Sequence, residues 1–231
     1  MERLDKILSE SGICTRREAR DLVRKKRIRV NGKEASSFDM KVSEEDTILL
    51  DGEEIELHHS VTAVMNKPEG FVTSTDDPGS RTVMELLPER LRRLGLYPVG
   101  RLDKDTTGLL LFTNDGTLAH RLISPKRNVE KEYLVTHTGT VTDEIIGEFR
   151  KGLVLADGTV LRSAELKRVS PSQSLLTITE GKYHQVKRMM GSKGLCVTAL
   201  ERVREGKLTL SGLERGEVRE LTPEELESLT D

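Results

Sequence analysis

The sequence predicts an α+β protein in which a small, basic N-terminal module precedes a larger domain built around a mostly antiparallel sheet. Three observations carry that expectation. Beyond residue 60, short apolar runs alternate with turn residues and few helical periods intervene. Before it, charge is segregated: Arg3 to Lys33 holds eleven Lys or Arg against four Asp or Glu, whereas Glu34 to Glu56 holds nine acids against Lys41 alone. Between the two, a polar joint at Leu57-His58-His59-Ser60 divides the chain into residues 1–59 and 60–231.

The N-terminal elements follow in order. Leu4, Ile7 and Leu8 recur at helical spacing and run to Gly12, a typical C-terminal stop. Thr15 reads as an N-cap, and Glu18 completes a capping box for a second helix. That helix turns Ala19, Leu22 and Val23 inward and leaves Arg16, Arg17, Arg20 and Arg24 outward. Lys25, Lys26 and Arg27 lead into a strand, Ile28–Val30, and a turn at Asn31-Gly32. Strands near Lys41-Val42 and Thr47–Leu50, with a turn at Asp51-Gly52, close the module. A net charge of −2 over 231 residues would argue against an anionic partner, but the local basic face matters more than the sum. So many cations in one small unit favour phosphate binding over an ordinary solvated helix face.

In the larger part, Val61–Met65 reads as a strand, Asn66-Lys67-Pro68-Glu69-Gly70 as a turn and Phe71–Ser74 as a second strand. A short helix at Thr82–Leu87 ends before Pro88. Leu109–Thr113 reads as a buried strand, Asn114-Asp115-Gly116 as its turn, and Thr117–Ile123 as a helix. Further strands fall near Glu132–Thr138, Thr159–Ala164, Glu165–Val169 and Leu175–Thr179, with a helix from Thr142 to Lys151 stopped at Gly152. Gly181 breaks the last of these strands, and a basic run opens a helix after it.

Composition narrows the function classes. Hydrophobic residues make up 35% and charged residues 33%, and no apolar run approaches a membrane span. Cys14 and Cys196 lie far apart, fit no metal spacing and read as reduced, half-buried thiols of a cytoplasmic protein. Adjacent His58 and His59 point opposite ways in an extended joint and read as linker rather than metal ligands. With no Trp, three Tyr and four Phe, broad base-stacking platforms are excluded, so each tyrosine matters individually.

The candidate chemistry gathers at three places. Arg101, Asp103, Lys104 and Asp105 crowd between Gly100 and Gly108, directly before a buried strand, which sets an acid at the edge of a rigid sheet. A solvated loop of mutually paired charges is the alternative on spacing alone. In Lys131-Glu132-Tyr133-Leu134-Val135, strand alternation puts Lys131, Tyr133 and Val135 on one face. In Glu180-Gly-Lys-Tyr-His-Gln-Val-Lys-Arg-Met-Met190, Lys182, Lys187 and Arg188 form a basic, RNA-facing turn.

Gly-Arg-Leu-Asp, with the following Thr-Thr-Gly-Leu-Leu-Leu-Phe-Thr-Asn-Asp-Gly116, resembles the catalytic motif of the pseudouridine synthases, specifically the RsuA branch that acts on ribosomal RNA. The Arg-Leu-Asp-Lys-Ile-Leu, Thr-Arg-Arg-Glu-Ala and Ile-Arg-Val-Asn-Gly-Lys order resembles the ribosomal-protein S-four-like, or alpha-L, RNA-binding module that commonly precedes that domain. The Asn-Lys-Pro-x-Gly turn is similar to the family's entry motif. The resemblance implies that Asp103 is the essential carboxylate and that Tyr133 packs on the target uracil as a candidate acceptor for its C5 proton. It also implies that Lys187 pairs with Asp103; a cation beside a half-buried carboxylate stabilises its charged form. Arg101 becomes a phosphate anchor or wedge, His184 a structural hydrogen-bonding residue, and an apolar residue between Val197 and Arg202 a wall of the uracil pocket. Met189-Met190 departs from relatives with an aromatic second residue.

The implied reaction needs neither nucleotide cofactor nor metal. The expected partner is ribosomal RNA or a pre-ribosomal particle, met by a cytoplasmic monomer without a membrane partner. The Thr-Thr-Gly form and Lys187 point to small-subunit RNA ahead of large-subunit RNA. Two readings from other classes remain: a non-catalytic RNA-binding assembly factor, and a metal-dependent phosphotransfer enzyme using Asp103, Asp105 and Asp115.

Overall fold

Local chemistry sets the ends of the helices. The Thr15 hydroxyl accepts a hydrogen bond from the Glu18 amide, and the Glu18 carboxylate takes the Thr15 amide at 2.8 Å, so the capping box forms in full. The computed structural model describes residues 2–11, 13–43, 45–55 and 60–230, so Gly12 and the Leu57-His58-His59 joint lie outside the described residues. Two compact units emerge: one of residues 1–61, 88–96 and 113–115, and one of residues 62–87, 97–112 and 116–231.

The first unit has helices α1 (Leu4–Glu10) and α2 (Arg16–Arg24) and six short strands. Strands β1 (Glu2–Arg3) and β4 (Lys41–Val42) pair antiparallel. Strands β2 (Ile28–Val30), β3 (Lys33–Glu34), β5 (Ile48–Leu50) and β6 (Glu53–Glu54) form a sheet in the order β3-β2-β5-β6. Leu4, Leu8, Ala19, Ile28, Val30, Val42 and Ile48 make its core, with Leu22 and Val23 packed against them. A short helix α3 (Glu89–Arg93) also belongs here, as does Asn114, whose side chain accepts from the Val61 amide and donates to the Leu94 carbonyl.

The second unit is organised by one nine-stranded sheet. Its strands are β7 (Thr62–Lys67), β8 (Tyr97–Val99), β9 (Thr106–Thr113), β10 (Lys131–His137), β13 (Glu165–Ser170), β14 (Gln173–Ile178), β15 (Val197–Glu205), β16 (Leu208–Thr209) and β17 (Val218–Glu220). Strands β11 (Leu153–Val154) and β12 (Val160–Leu161) pair separately. The main order is β13-β14-β10-β15-β9-β7-β17, with β16 on β15 and β8 on β9. Pairings β10–β14, β10–β15, β13–β14, β15–β16 and β7–β17 are antiparallel, while β9 and β15 run parallel, so the expected mostly antiparallel sheet carries a parallel seam between β9 and β15. Helices α4 (Gly116–Ile123), α5 (Asp143–Lys151), α6 (Gln185–Gly191) and α7 (Pro223–Thr230) flank it. Val64, Val99, Leu109, Leu111, Leu118, Ala119, Leu122 and Leu208 form one buried cluster.

Four expectations are corrected. Cys14 is half-buried as expected, but Cys196, just before β15, is exposed. Phe71–Ser74 is not a strand: Val72 makes an isolated bridge to Thr82, while the Thr73 hydroxyl donates to the Leu102 carbonyl and accepts from its amide, tying this segment to the loop before Asp103. Thr82–Leu87 contains a single 3-10 turn, Val83–Leu86, because Pro88 prevents an α-helix from propagating. Of Thr159–Ala164, two residues alone, Val160–Leu161, are strand.

At Gly108 the parallel seam closes to a distance that a side chain would block. Its φ is +102°, and a Cβ there would stand 2.2 Å from the Arg202 carbonyl oxygen. Only glycine lets β9 and β15 approach this closely.

Candidate active site

The loop that precedes β9 is fastened from below by a buried lysine. Lys67, at the end of β7, has its ammonium 2.9 Å from the Thr106 carbonyl, 3.1 Å from those of Asp103 and Pro68, and 3.3 Å from that of Lys104. The side chain is wholly buried, and burial pushes it down to about 8 against the opposing charges of Asp105, Asp103 and Glu69. By sequence Lys67 reads as part of a turn with no task, whereas Asn66 and Lys67 continue β7. The signal available was an Asn-Lys-Pro sequence closing an otherwise apolar strand.

Fixed in this way, the loop presents Asp103 and Asp105 to α6. Lys187 Nζ lies 3.0 Å from Asp103 Oδ2 and 2.6 Å from Asp105 Oδ1, so one ammonium holds two carboxylates. Burial alone would lower the Lys187 ammonium, but its hydrogen bonds to Asp105 and Asp103 and their charges outweigh that and raise it. The Lys187 hydrogen bond in turn lowers Asp105. His184 Nε2 stands 3.5 Å from Asp103 Oδ1. This histidine takes a left-handed backbone conformation, φ +47°, which turns the chain into α6.

Asp103 opens onto a cavity that Tyr133, Ile178, His184, Lys187 and Leu200 also line. The three residues expected to carry the chemistry, Asp103, Tyr133 and Lys187, are therefore brought to one place from a loop, a strand and a helix. Leu200, on β15, is the apolar residue of the Val197–Arg202 stretch that reaches it. Arg101 and Lys182 stand at the same cavity.

Behind Tyr133 lies a buried polar row that sequence reasoning missed. Strand β15 bulges at Val203, so that Glu205 faces Lys131 and Arg202 faces Tyr133. In a regular strand, residues three apart face opposite ways; the bulge puts Arg202 and Glu205 on the same face. Arg202 Nε donates to the Leu109 carbonyl at 2.7 Å, and its Nη2 lies 3.3 Å from Glu205 Oε2, whose other oxygen is 3.5 Å from Lys131 Nζ. Burial raises the Tyr133 hydroxyl, and the neighbouring Arg202 charge works against that rise. Tyr133 thus presents a neutral ring held from behind.

The expected RNA-binding cations divide into two groups. Arg16, Arg17, Arg20, Arg24, Lys25, Lys26 and Arg27 are all exposed in the first unit. Arg24 pairs with Asp21, Lys26 with Glu34 and Arg27 with Asp51, while Arg20 lies 4.6 Å over the Phe38 ring. In the second unit, Lys182 Nζ donates to the Val160 carbonyl and Arg188 is held by Asp157. Arg101 is exposed and makes no ion pair among the described residues. No group of three His, Cys, Asp or Glu side chains able to hold a metal occurs among the described residues. No helix there is long and apolar enough to cross a membrane.

Comparison with known proteins decides what such a site belongs to. Residues 61–192, which contain Asp103, Tyr133 and Lys187, match the RNA pseudouridylate synthase family model. The chain belongs to that family. Residues 2–48 match the S4 domain. The chain is 41% identical over 230 residues to ribosomal small subunit pseudouridine synthase A of Escherichia coli (strain K12), covering 98% of this chain and 99% of the relative. It is 37% identical over 235 residues to ribosomal large subunit pseudouridine synthase B of Bacillus subtilis (strain 168), covering 99% and 96% respectively. A crystal structure of a pseudouridylate synthase superposes with a TM-score of 0.70 at 36% identity, covering 99% of this chain and all of the other. This pseudouridine synthase is thus an isomerase acting on RNA, with an N-terminal S4 domain ahead of its catalytic domain.

Proposed function

We propose that this synthase converts a specific uridine of small-subunit ribosomal RNA to pseudouridine, with Asp103, Tyr133 and Lys187 as its catalytic residues. One observation carries the assignment of roles: a carboxylate held at 3.0 Å by a half-buried ammonium, at the mouth of a cavity walled by a tyrosine and a leucine. The reaction breaks the bond between N1 and C1′ of the ribose, turns the uracil and forms a bond from C5 to C1′. The C5 proton leaves and N1 gains one, so atoms balance with no outside group. Lys187 holds the Asp103 carboxylate in place at 3.0 Å, which removes reorganisation from the step in which positive character develops at the sugar. Tyr133 packs on the turning ring, and its hydroxyl, backed by Arg202, is the candidate acceptor for the C5 proton, taking it as its own proton passes on to N1. Leu200 and Ile178 supply the apolar walls that exclude water. The target base must be extruded to reach this cavity, with Arg101 on the adjoining phosphate.

The first 59 residues serve as the RNA grip, through Arg16, Arg17, Arg20, Arg24, Lys25, Lys26 and Arg27, while Lys182, at the cavity, and Arg188 add RNA-binding cations from the catalytic domain. The protein acts as a monomer in the cytoplasm. Greater identity to the small-subunit enzyme than to the large-subunit one supports the choice of substrate. The test is pseudouridine mapping of ribosomal RNA from cells lacking the protein, complemented with wild type or Asp103→Asn. Loss of one small-subunit site, restored by wild type alone, is expected. A lost large-subunit site would move the substrate, and restoration by Asp103→Asn would remove Asp103 from the mechanism.

A further inference from the structure

Of the seven aromatic side chains, six are buried or half-buried and one is not. Tyr183 is 76% exposed, yet its two chain neighbours, Lys182 and His184, both line the cavity. One face of its ring is stacked on His184, with centroids 3.9 Å apart and planes within 17°. His184 is itself a cavity wall, 3.5 Å from Asp103. The other ring face is open. A large aromatic ring held in water by a single stacking partner gains little for folding, because most of its apolar surface stays wet. Its geometry instead presents a flat π surface one ring away from the carboxylate that receives the target uridine.

We infer that Tyr183 is a stacking platform for the nucleobase adjoining the target uridine in the RNA strand. This rests on the assignment of the Asp103 cavity to the extruded uridine. Extrusion breaks the stacking of that uridine on its neighbour, and the neighbour is left with an uncovered face. Tyr183 supplies a replacement surface, and the free Arg101 guanidinium lies at the same cavity for the phosphate between the two nucleotides. Stacking on a single aromatic ring is tolerant of base identity, so Tyr183 raises affinity for an extruded strand more than it selects a sequence.

The test is single-turnover pseudouridine formation with enzyme in excess, on the ribosomal RNA that the wild type modifies, comparing Tyr183→Ala and Tyr183→Phe. Stacking of one base corresponds to a half-saturation concentration raised between about 5-fold and about 150-fold in the alanine variant. The phenylalanine variant stays within about 2-fold of wild type, and the limiting rate and its pH profile are unchanged in both. RNA with an abasic residue on one side of the uridine weakens the wild type to the level of Tyr183→Ala and leaves Tyr183→Ala unaffected. Wild-type half-saturation in the alanine variant overturns the inference. So does a fall in limiting rate alone, since Tyr183 would then act through His184 on Asp103. Absence of pseudouridine with the wild type itself overturns the underlying assignment instead.

Discussion

Replacing Gly108 by alanine tests the seam on which the site is built. The new Cβ would sit 2.2 Å from the Arg202 carbonyl oxygen, 2.8 Å from its amide nitrogen and 2.9 Å from its carbonyl carbon, all backbone atoms that cannot swing aside. Carbon–oxygen contacts settle at about 3.3 Å or more, so β9 and β15 must part by about 1 Å. A φ of +102° adds about 1–2 kcal/mol for a residue with a Cβ. Overpacking adds about 1–3 kcal/mol, for a combined loss of about 2–5 kcal/mol. That is a large share of the roughly 5–15 kcal/mol that stabilises a typical domain. Activity suffers more than stability: β9 begins three residues after Asp103, while β15 carries Leu200 and Arg202. A displacement of about 1 Å between them costs on the order of 100-fold in rate. Urea unfolding followed by circular dichroism gives the first figure, and the rate of pseudouridine formation in RNA the second. Gly116→Ala is the control: the nearest atom to its Cβ would be the Tyr97 hydroxyl at 3.5 Å, an ordinary contact, so this variant is neutral or slightly more stable. A Gly108→Ala protein within 0.5 kcal/mol of wild type (roughly the scatter of surface substitutions) and fully active would refute the argument.

Other variants probe the groups that set Asp103 in place. Lys67→Met strips the one cation from four carbonyls and is expected to lower stability by on the order of 3 kcal/mol in thermal unfolding, with a loss of activity larger than the residual instability explains. Asp105→Asn removes the closer partner of Lys187. Because the folded protein holds the Asp105 carboxyl below its ordinary value, the stability it contributes is complete above about pH 5 and is lost as pH falls through and below about 4. The difference in unfolding midpoint between wild type and Asp105→Asn should therefore be constant at neutral pH and shrink in acid; a constant difference down to pH 3 would contradict the pairing.

The sequence by itself determined the local elements and the chemical inventory. The Thr15–Glu18 capping box, the Asn31-Gly32 turn, the Gly152 stop and strand β10 with its inward Tyr133 are short-range features, fixed by residues within a few positions of one another. The catalytic motif around Asp103 was legible for a similar reason, because its unusual residue types are contiguous. Tertiary structure alone decided which distant groups meet. Lys67 looks like a turn residue until β7 is laid beneath the Asp103 loop, where four carbonyls need a donor. Phe71–Ser74 has the composition of a strand, yet Thr73 takes its hydrogen bonds from Leu102. Arg202 and Glu205 carry no sequence signal as a pair, since their shared face exists only because β15 bulges against β10. Periodicity reports the forces along a chain. Burial of polar groups is settled between chain segments, by whichever partner the fold brings within hydrogen-bond distance.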